Sequence, residues 1–261
     1  QTFIMSVLDS IIEGVKEDLE SRRLSKAQIL EAVEVAPAVR SDISAFLTFE
    51  LSLIAEVKRS SPSKGSLAPI TDPALLASRY EKGGATAISV LTERRRFGGS
   101  LADLVAVRKA VDLPVLRKDF MVDQYQFLEA RAHGADLVLL IVAALSKNQL
   151  SDYLALTQEL GMHAIVEVHT NAELEIALDN PCEFIGVNSR NLKTLEVDPV
   201  GFKELLPRIP HEVIRIAESG ISTRADVEFA VECGANAILV GEALVRAGDP
   251  EFAVQHLLGR Q

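Results

Sequence analysis

The chain reads as an α/β protein, a (β/α)8 TIM barrel preceded by an N-terminal helical extension. Three observations predict it. After about residue 50, short apolar runs of β type alternate strictly with longer stretches of helical period, eight of each. The runs are apolar on both faces, as strands of a parallel sheet covered by helices must be. Their starts recur at roughly 20 to 35 residues, the spacing of βα units. An open doubly wound sheet is the alternative. It calls for a GxGxxG turn after an early strand, and the sequence has none.

The elements follow in order. "MSVLDSIIEGVKEDLESRRL" (5–24) has apolar residues at 5, 7, 8, 11, 12, 15 and 19, a helical stripe. "SKAQILEAVEVA" (25–36) reads as a second, shorter helix capped by Ser25. Residues 1–48 are too few to hold a core of their own, so they are expected to pack as an extension on a single-domain barrel, 49–261. The barrel strands are expected at "LSLIAEV", "TAISVL", "LPVLR", "DLVLLIV", "HAIVEV", "EFIGVN", "EVIRIAE" and "NAILVG". Between them, "DPALLASRYEKGG" opens on Asp-Pro and stops on Gly, and "TRADVEFAVECGA" opens on a Thr cap and stops on Gly. "SKNQLSDYLALTQELGM" and "NAELEIALDN" behave alike.

Bulk composition narrows the function classes. The 261 residues are 48% hydrophobic and 25% charged, but only 5% aromatic with no Trp, so the core must be aliphatic. A net charge of −10 argues against non-specific nucleic-acid binding, yet leaves room for an anionic small molecule in a locally cationic cleft. Cys182 and Cys233 lie far apart without a CxxC pattern and read as small buried hydrophobes. "DLVLLIVAAL" (136–145) is too short for a membrane span, and no signal-peptide pattern is visible. The expected compartment is the cytoplasm. Gln1–Ile4, ahead of Met5, are consistent with a cloning remnant.

In such a barrel the active site lies at the carboxyl ends of the strands. Those ends supply Glu56 and Lys58, Lys118, Glu167, Asn188 and Arg190, Glu218 and Ser219, and Gly241. By the period of two, Lys118 shares a face with Leu116, Glu167 with Ile165, and Glu218 with Ile216 and Ile214. Three glutamates, two lysines and an asparagine then converge on one mouth. A ring of structural ion pairs is the competing account of any single residue. It is a poor account of the set, because buried charges are costly where barrels usually place aliphatics. Alternating Lys and Glu are expected to shift one another toward a usable acid and a usable base.

"ESGIS" and "VGEAL" place small residues ahead of helix starts after strands seven and eight, where backbone N–H groups bind phosphate. "SSPSKG" adds Ser61 and Lys64. The five histidines show no ligand-type spacing, so no metal is expected. There is no G-x-S-x-G elbow and no P-loop. "RRR" (94–96) reads as a solvated loop near the mouth rather than a nucleic-acid patch. Phe97 and Phe120, just past strands two and three, are candidates to line an apolar pocket.

At these residues the chain resembles a known family. "IAEVKRSSPSKG", "SVLTE…FGGS", "VLRKDF", "DLVLLI", "VEVHT", "IGVNSRNL", "AESGI" and "LVGEAL" are similar to the indole-3-glycerol phosphate synthases of tryptophan biosynthesis, over residues 50–247 and into the extension. The resemblance implies conversion of 1-(2-carboxyphenylamino)-1-deoxyribulose 5-phosphate to indole-3-glycerol phosphate, CO2 and water, without cofactor or metal, by a monomer. It implies that Lys118 is the general acid at the ribulose carbonyl. Lys58 would bind the substrate carboxylate or act in dehydration, and Glu167 would be the general base or hold charge near the nitrogen. Glu56, Asn188 and Glu218 would position substrate and lysines. Ser61, Lys58, Ser219, Gly220, Gly241 and Glu242 fall at the phosphate site. Phe97, Phe120, Leu139 and Leu195 fall at the aromatic-ring pocket, with Arg190 near the carboxylate. How the later proton transfers divide among Lys58, Glu56 and Glu167 stays open. Arg117 departs from the family pattern and should point away from the cavity. The basic second loop also departs, and is expected to help attract a doubly anionic substrate. Alternatives are another phosphate-binding barrel, a phosphosugar isomerase or aldolase, and a non-catalytic phospholigand-binding barrel.

Overall fold

Eight parallel strands close into a barrel in which each strand pairs with its neighbours in sequence and the first pairs with the last. The structure, a computed structural model, describes residues 5–48 and 50–260, so the remnant expected at Gln1–Ile4 lies outside the described residues. The strands are β1 (Ser52–Val57), β2 (Ala87–Leu91), β3 (Val115–Lys118), β4 (Leu137–Ile141), β5 (His163–Val168), β6 (Phe184–Asn188), β7 (Ile214–Glu218) and β8 (Ala237–Val240). Helices α1 (Val7–Arg22) and α2 (Lys26–Glu34) precede them. One helix follows each of the first seven strands: α3 (Pro73–Lys82), α4 (Leu101–Ala110), α5 (Tyr125–Ala132), α6 (Lys147–Glu159), α7 (Asn171–Leu178), α8 (Val200–Leu205) and α9 (Arg224–Glu232). The last strand departs from the strict alternation expected. It is followed by two helices, α10 (Glu242–Val245) and α11 (Pro250–Leu258), because Asp249 caps a new helix with Pro250 in its first turn.

Local chemistry explains the helix starts. Ser6, Ser25, Ser146 and Thr223 each form a reciprocal capping box with the residue three positions on. Asp72 and Asp249 cap helices that begin on proline.

The two faces of each strand bury different partners. Leu53, Ala55, Val57, Ile88, Val90, Val138, Leu140 and Val166 pack outward in the apolar layer beneath the helices. Ile54, Ala87, Leu116, Leu139, Ile165, Ile216 and Leu239 fill the barrel interior. Phe46, from the short turn before β1, meets Phe184 edge-on, with centroids 5.3 Å apart at 89°. Leu8, Ile11 and Val15 of α1 belong to the interior cluster, so the extension shares the barrel's own core.

The basic second loop is solvated, as expected, with Arg94, Arg95 and Arg96 all exposed, and α1 supplies partners for two of them. Arg95 lies across Gly14, where a Cβ would approach its Cδ to 3.1 Å. Its guanidinium bonds Asp18 and Glu17 at 2.8 Å each, and Arg96 donates to Ser10 Oγ at 2.8 Å. Two of the three arginines are thus committed to the extension. Buried Glu93 accepts from the backbone N–H groups of Arg95, Arg96 and Phe97, which fixes the loop.

Arg117 points out of the cavity, as alternation requires. It is wholly buried between β3 and α5, and bonds Thr92, Asp119, Glu129 and the Gln126 carbonyl. Glu129 in turn receives Arg22 of α1 at 2.7 Å. Cys233 is buried as expected, whereas Cys182 is only half-buried in the loop after α7, its thiol donating to the Ala177 carbonyl.

Candidate active site

A cavity of about 540 Å³ opens at the carboxyl ends of the strands. Every residue singled out from the sequence lines it. Six come from the acid–base and amide set, Glu56, Lys58, Lys118, Glu167, Asn188 and Glu218. Ser61, Ser219, Gly220, Gly241 and Glu242 lie along the β1, β7 and β8 side, and Phe97, Phe120, Leu139, Arg190 and Leu195 line the remainder. Ile11 of α1 and Arg246, which caps the end of α10, also line it and were missed. Arg246 sits one helical turn beyond Glu242, a spacing that would have pointed to it.

Glu56 is the hub. Its Oε1 lies 3.1 Å from Lys58 Nζ, and its Oε2 lies 3.3 Å from Lys118 Nζ and accepts the Ser89 hydroxyl at 2.9 Å. Burial pushes this carboxyl up, but the two lysines and the hydroxyl outweigh it and hold it at about 2. Lys118 also faces Glu218 Oε2 at 3.7 Å. Burial pulls the Lys118 ammonium down, yet Glu56, Glu218 and Glu167 together raise it well above an ordinary lysine. Three carboxyls around one ammonium reverse the sign that burial alone would give. Lys118 is held as a charged ammonium, not a free amine. The expectation from sequence was a lysine that serves as an acid, and an ammonium kept charged has the proton to give.

Glu218 absorbs the imbalance. Burial, then repulsion from Glu167, drives its carboxyl well above the usual carboxylate range against the pull of Lys118. Among the described residues neither of its oxygens receives a hydrogen bond. Burial beside the Glu167 carboxylate thus favours the neutral form of Glu218, since two like charges would repel. Glycine at 186 makes this seat, because a Cβ there would stand 2.0 Å from Glu218 Oε1. Glu167 is oriented from β6, where Asn188 Nδ2 donates to its Oε1 at 3.0 Å.

The opposite wall is apolar. Phe97 and Phe120 tilt together with centroids 6.1 Å apart. Across the mouth, Ser219 and Gly220 both take left-handed backbone, at φ of 67° and 72°, and Leu195 does so at 66°. For Ser219 and Leu195 that conformation costs about 1–2 kcal/mol, so strain is concentrated at the cavity rim. Gly241 is close-packed, since a Cβ there would meet Glu56 Oε1 at 2.8 Å. Beyond β1, Ser60–Ser61 pairs with Gly65–Ser66 in a small hairpin that carries Ser61, Ser63 and Lys64 into the cavity wall.

Fold and site together define a (β/α)8-barrel enzyme with an acid–base cluster at the carboxyl mouth of its strands. The family model for indole-3-glycerol phosphate synthase matches residues 8–257. The indole-3-glycerol phosphate synthase of Micrococcus luteus is 56% identical, over 96% of this chain and 96% of that protein. That of Rhodococcus jostii is 55% identical, over 97% and 95%. Among solved structures, 3-hexulose-6-phosphate synthase from Salmonella typhimurium aligns with a TM-score of 0.65 at 14% identity, over 80% of this chain and 97% of that one. At that identity the likeness concerns the fold alone. The chain belongs to the indole-3-glycerol phosphate synthase family.

Proposed function

We infer that the protein closes the indole ring of indole-3-glycerol phosphate from 1-(2-carboxyphenylamino)-1-deoxyribulose 5-phosphate, releasing CO2 and water, as a carboxy-lyase of tryptophan biosynthesis. The observation that carries this reading is the placement of Lys118. Its ammonium is held by Glu56 at 3.3 Å and faces Glu218 at 3.7 Å, with the Phe97–Phe120 wall on the same cavity. A lysine kept charged is suited to protonate the ribulose carbonyl oxygen as the carbon–carbon bond forms. Lys58, paired through Glu56, faces the substrate carboxylate that leaves as CO2. Glu167, aimed by Asn188, takes the proton lost from the methylene beside the nitrogen as water leaves, or steadies charge at the nitrogen. The ring lies against Phe97, Phe120, Leu139 and Leu195, and Arg190 adds positive charge. Ser61 and the turns at Ser219–Gly220 and Gly241 receive the phosphate. Holding both ends of a flexible molecule is itself a large source of rate.

The N-terminal extension (1–48) and the barrel (49–261) act as one unit in this reading, since Ile11 contributes to the cavity. The protein works as a monomer in the cytoplasm on a phosphorylated small molecule. Among the described residues no helix is long and apolar enough to cross a membrane.

The test is to mix the protein with the carboxyphenylamino-deoxyribulose phosphate and follow indole fluorescence, with Lys118→Ala as control. A rise that the variant loses by about 10² or more supports both the reaction and the general acid. No rise from folded protein rejects the assignment. A Schiff-base aldolase is disfavoured because its lysine must reach the neutral amine, the opposite of the direction at Lys118. Borohydride trapping with substrate separates the two.

A further inference from the structure

Glu242 is misplaced on charge grounds. It opens α10 beside Gly241, on the wall where the proposed phosphate would lie, and a carboxylate there repels a phosphate. Its Oε1 is shared by two cations from different segments. Lys64 Nζ, on the hairpin after β1, lies at 3.3 Å, and Arg246 lies at 3.1 Å. A third cation stands nearby: burial lowers the Arg190 guanidinium and Glu242 offsets part of that. Arg190 in turn donates to Ser63 Oγ of the same hairpin at 3.1 Å and to the Leu195 carbonyl at 3.0 Å. The cavity's other glutamates are engaged elsewhere, Glu56 with the two lysines, and Glu167 and Glu218 around Asn188 and Lys118.

We propose that the Glu242 carboxylate is an internal stand-in for the substrate's phosphate: it holds Lys64 and Arg246 at the cavity wall and gives them up when a phosphate dianion binds. This rests on the reading that phosphate occupies the Gly220–Gly241 side. The pairs suit an exchange. Side-chain exposures of 50% for Lys64, 47% for Arg246 and 30% for Glu242 make them weak, solvent-screened contacts. A dianion offers the same cations more charge and more acceptor oxygens than one carboxylate. A monoanion offers no such gain, so the exchange discriminates for the dianionic phosphate. The cations are meanwhile kept in place, and the hairpin that bears Lys64 stays tethered to α10. Glu242 is thus a specificity-determining residue that works by competing.

The experiment is calorimetric titration of the whole protein with inorganic phosphate, for wild type, Glu242→Gln, Lys64→Met and Arg246→Met, with thermal melts as the fold check. Removing the competitor should tighten phosphate binding by about three- to tenfold in Glu242→Gln and lower KM for the phosphorylated substrate with little change in kcat. Each cation variant should weaken phosphate by a similar factor, and should still weaken it in the Glu242→Gln background. Were Glu242 merely a structural prop for the two cations, Glu242→Gln would bind phosphate equally or more weakly, and the exchange would be refuted alone. Phosphate binding by neither wild type nor Glu242→Gln, with substrate KM unmoved in Lys64→Met, would remove the phosphate assignment and the exchange with it.

Discussion

Glu56→Gln isolates the electrostatics of the lysine hub. Glutamine copies the shape of a protonated carboxyl, so the stability gap to wild type reads what ionisation of Glu56 contributes. The carboxyl falls from an ordinary 4.5 to about 2 in the folded protein, against the cost of its own burial, because Lys118 and Lys58 flank it and Ser89 donates to it. At about 1.4 kcal/mol per tenfold, that drop corresponds to about 3 kcal/mol at neutral pH. The sign follows from the depressed value. The stabilisation is fully present above the unfolded carboxyl range and is lost as pH falls through it toward about 2. Urea unfolding of wild type and Glu56→Gln should therefore differ by about 3 kcal/mol near pH 7, with the gap clearly narrowed by about pH 3.5. Equal stabilities at neutral pH, or a gap indifferent to pH, would refute the claim that the two lysines outweigh the burial of Glu56.

Glu218→Gln should have the opposite stability profile. A carboxyl raised in the folded state contributes stability at acid pH that fades as pH climbs through its raised value. The variant should therefore match wild type in acid and exceed it in mild alkali by urea unfolding, while losing activity. Gly186→Ala should leave the barrel folded by circular dichroism but force Glu218 aside, since the added carbon would lie 2.0 Å from Oε1. Restoring a 3.0 Å contact needs a shift of about 1 Å, which should lower kcat by about 10²-fold, and near-normal kcat would show that the Glu218 seat is not needed.

The barrel and the residues lining its mouth were legible because both depend on local periodicity. A strand's period of two decides which residues face inward, and Glu56, Lys118, Glu167 and Glu218 followed their apolar neighbours Ile54, Leu116, Ile165 and Ile216 to the interior. The protonation of the mouth was not legible. It depends on which oxygen meets which nitrogen across strands far apart in sequence, as between Glu56 and Lys118. The partners of the "RRR" loop were equally hidden. Arg95 and Asp18 are 77 residues apart, and no periodicity links a loop after β2 to a polar face of α1. Gly14 was the available clue, a glycine inside an otherwise good helix, which marks a close approach by something. The second helix after β8 was also readable. "GDP" (248–250) repeats the Asp-Pro start already recognised at "TDP" (71–73).

These contacts bear on how a chain of net charge −10 handles a doubly anionic substrate. Arg95 and Arg96, the obvious attractors by sequence, are committed to α1. Lys58 and Lys118 share Glu56, and Lys64 and Arg246 share Glu242. Each of these cations already has an acid or hydroxyl partner within the protein, so attraction by surplus positive charge is a weak account of binding. Replacement is a stronger one: the substrate's anions take over cations that internal carboxylates hold in position, which preserves the geometry while the partner changes. The two carboxylates differ in depth. Glu56 is buried, so its lysine pairs are shielded from solvent and hard to displace, whereas Glu242 is partly exposed and its pairs are solvent-screened, so the replacement concerns Glu242. On the proposed assignment, the exposure of the internal partner separates the catalytic end of the cavity from its binding end.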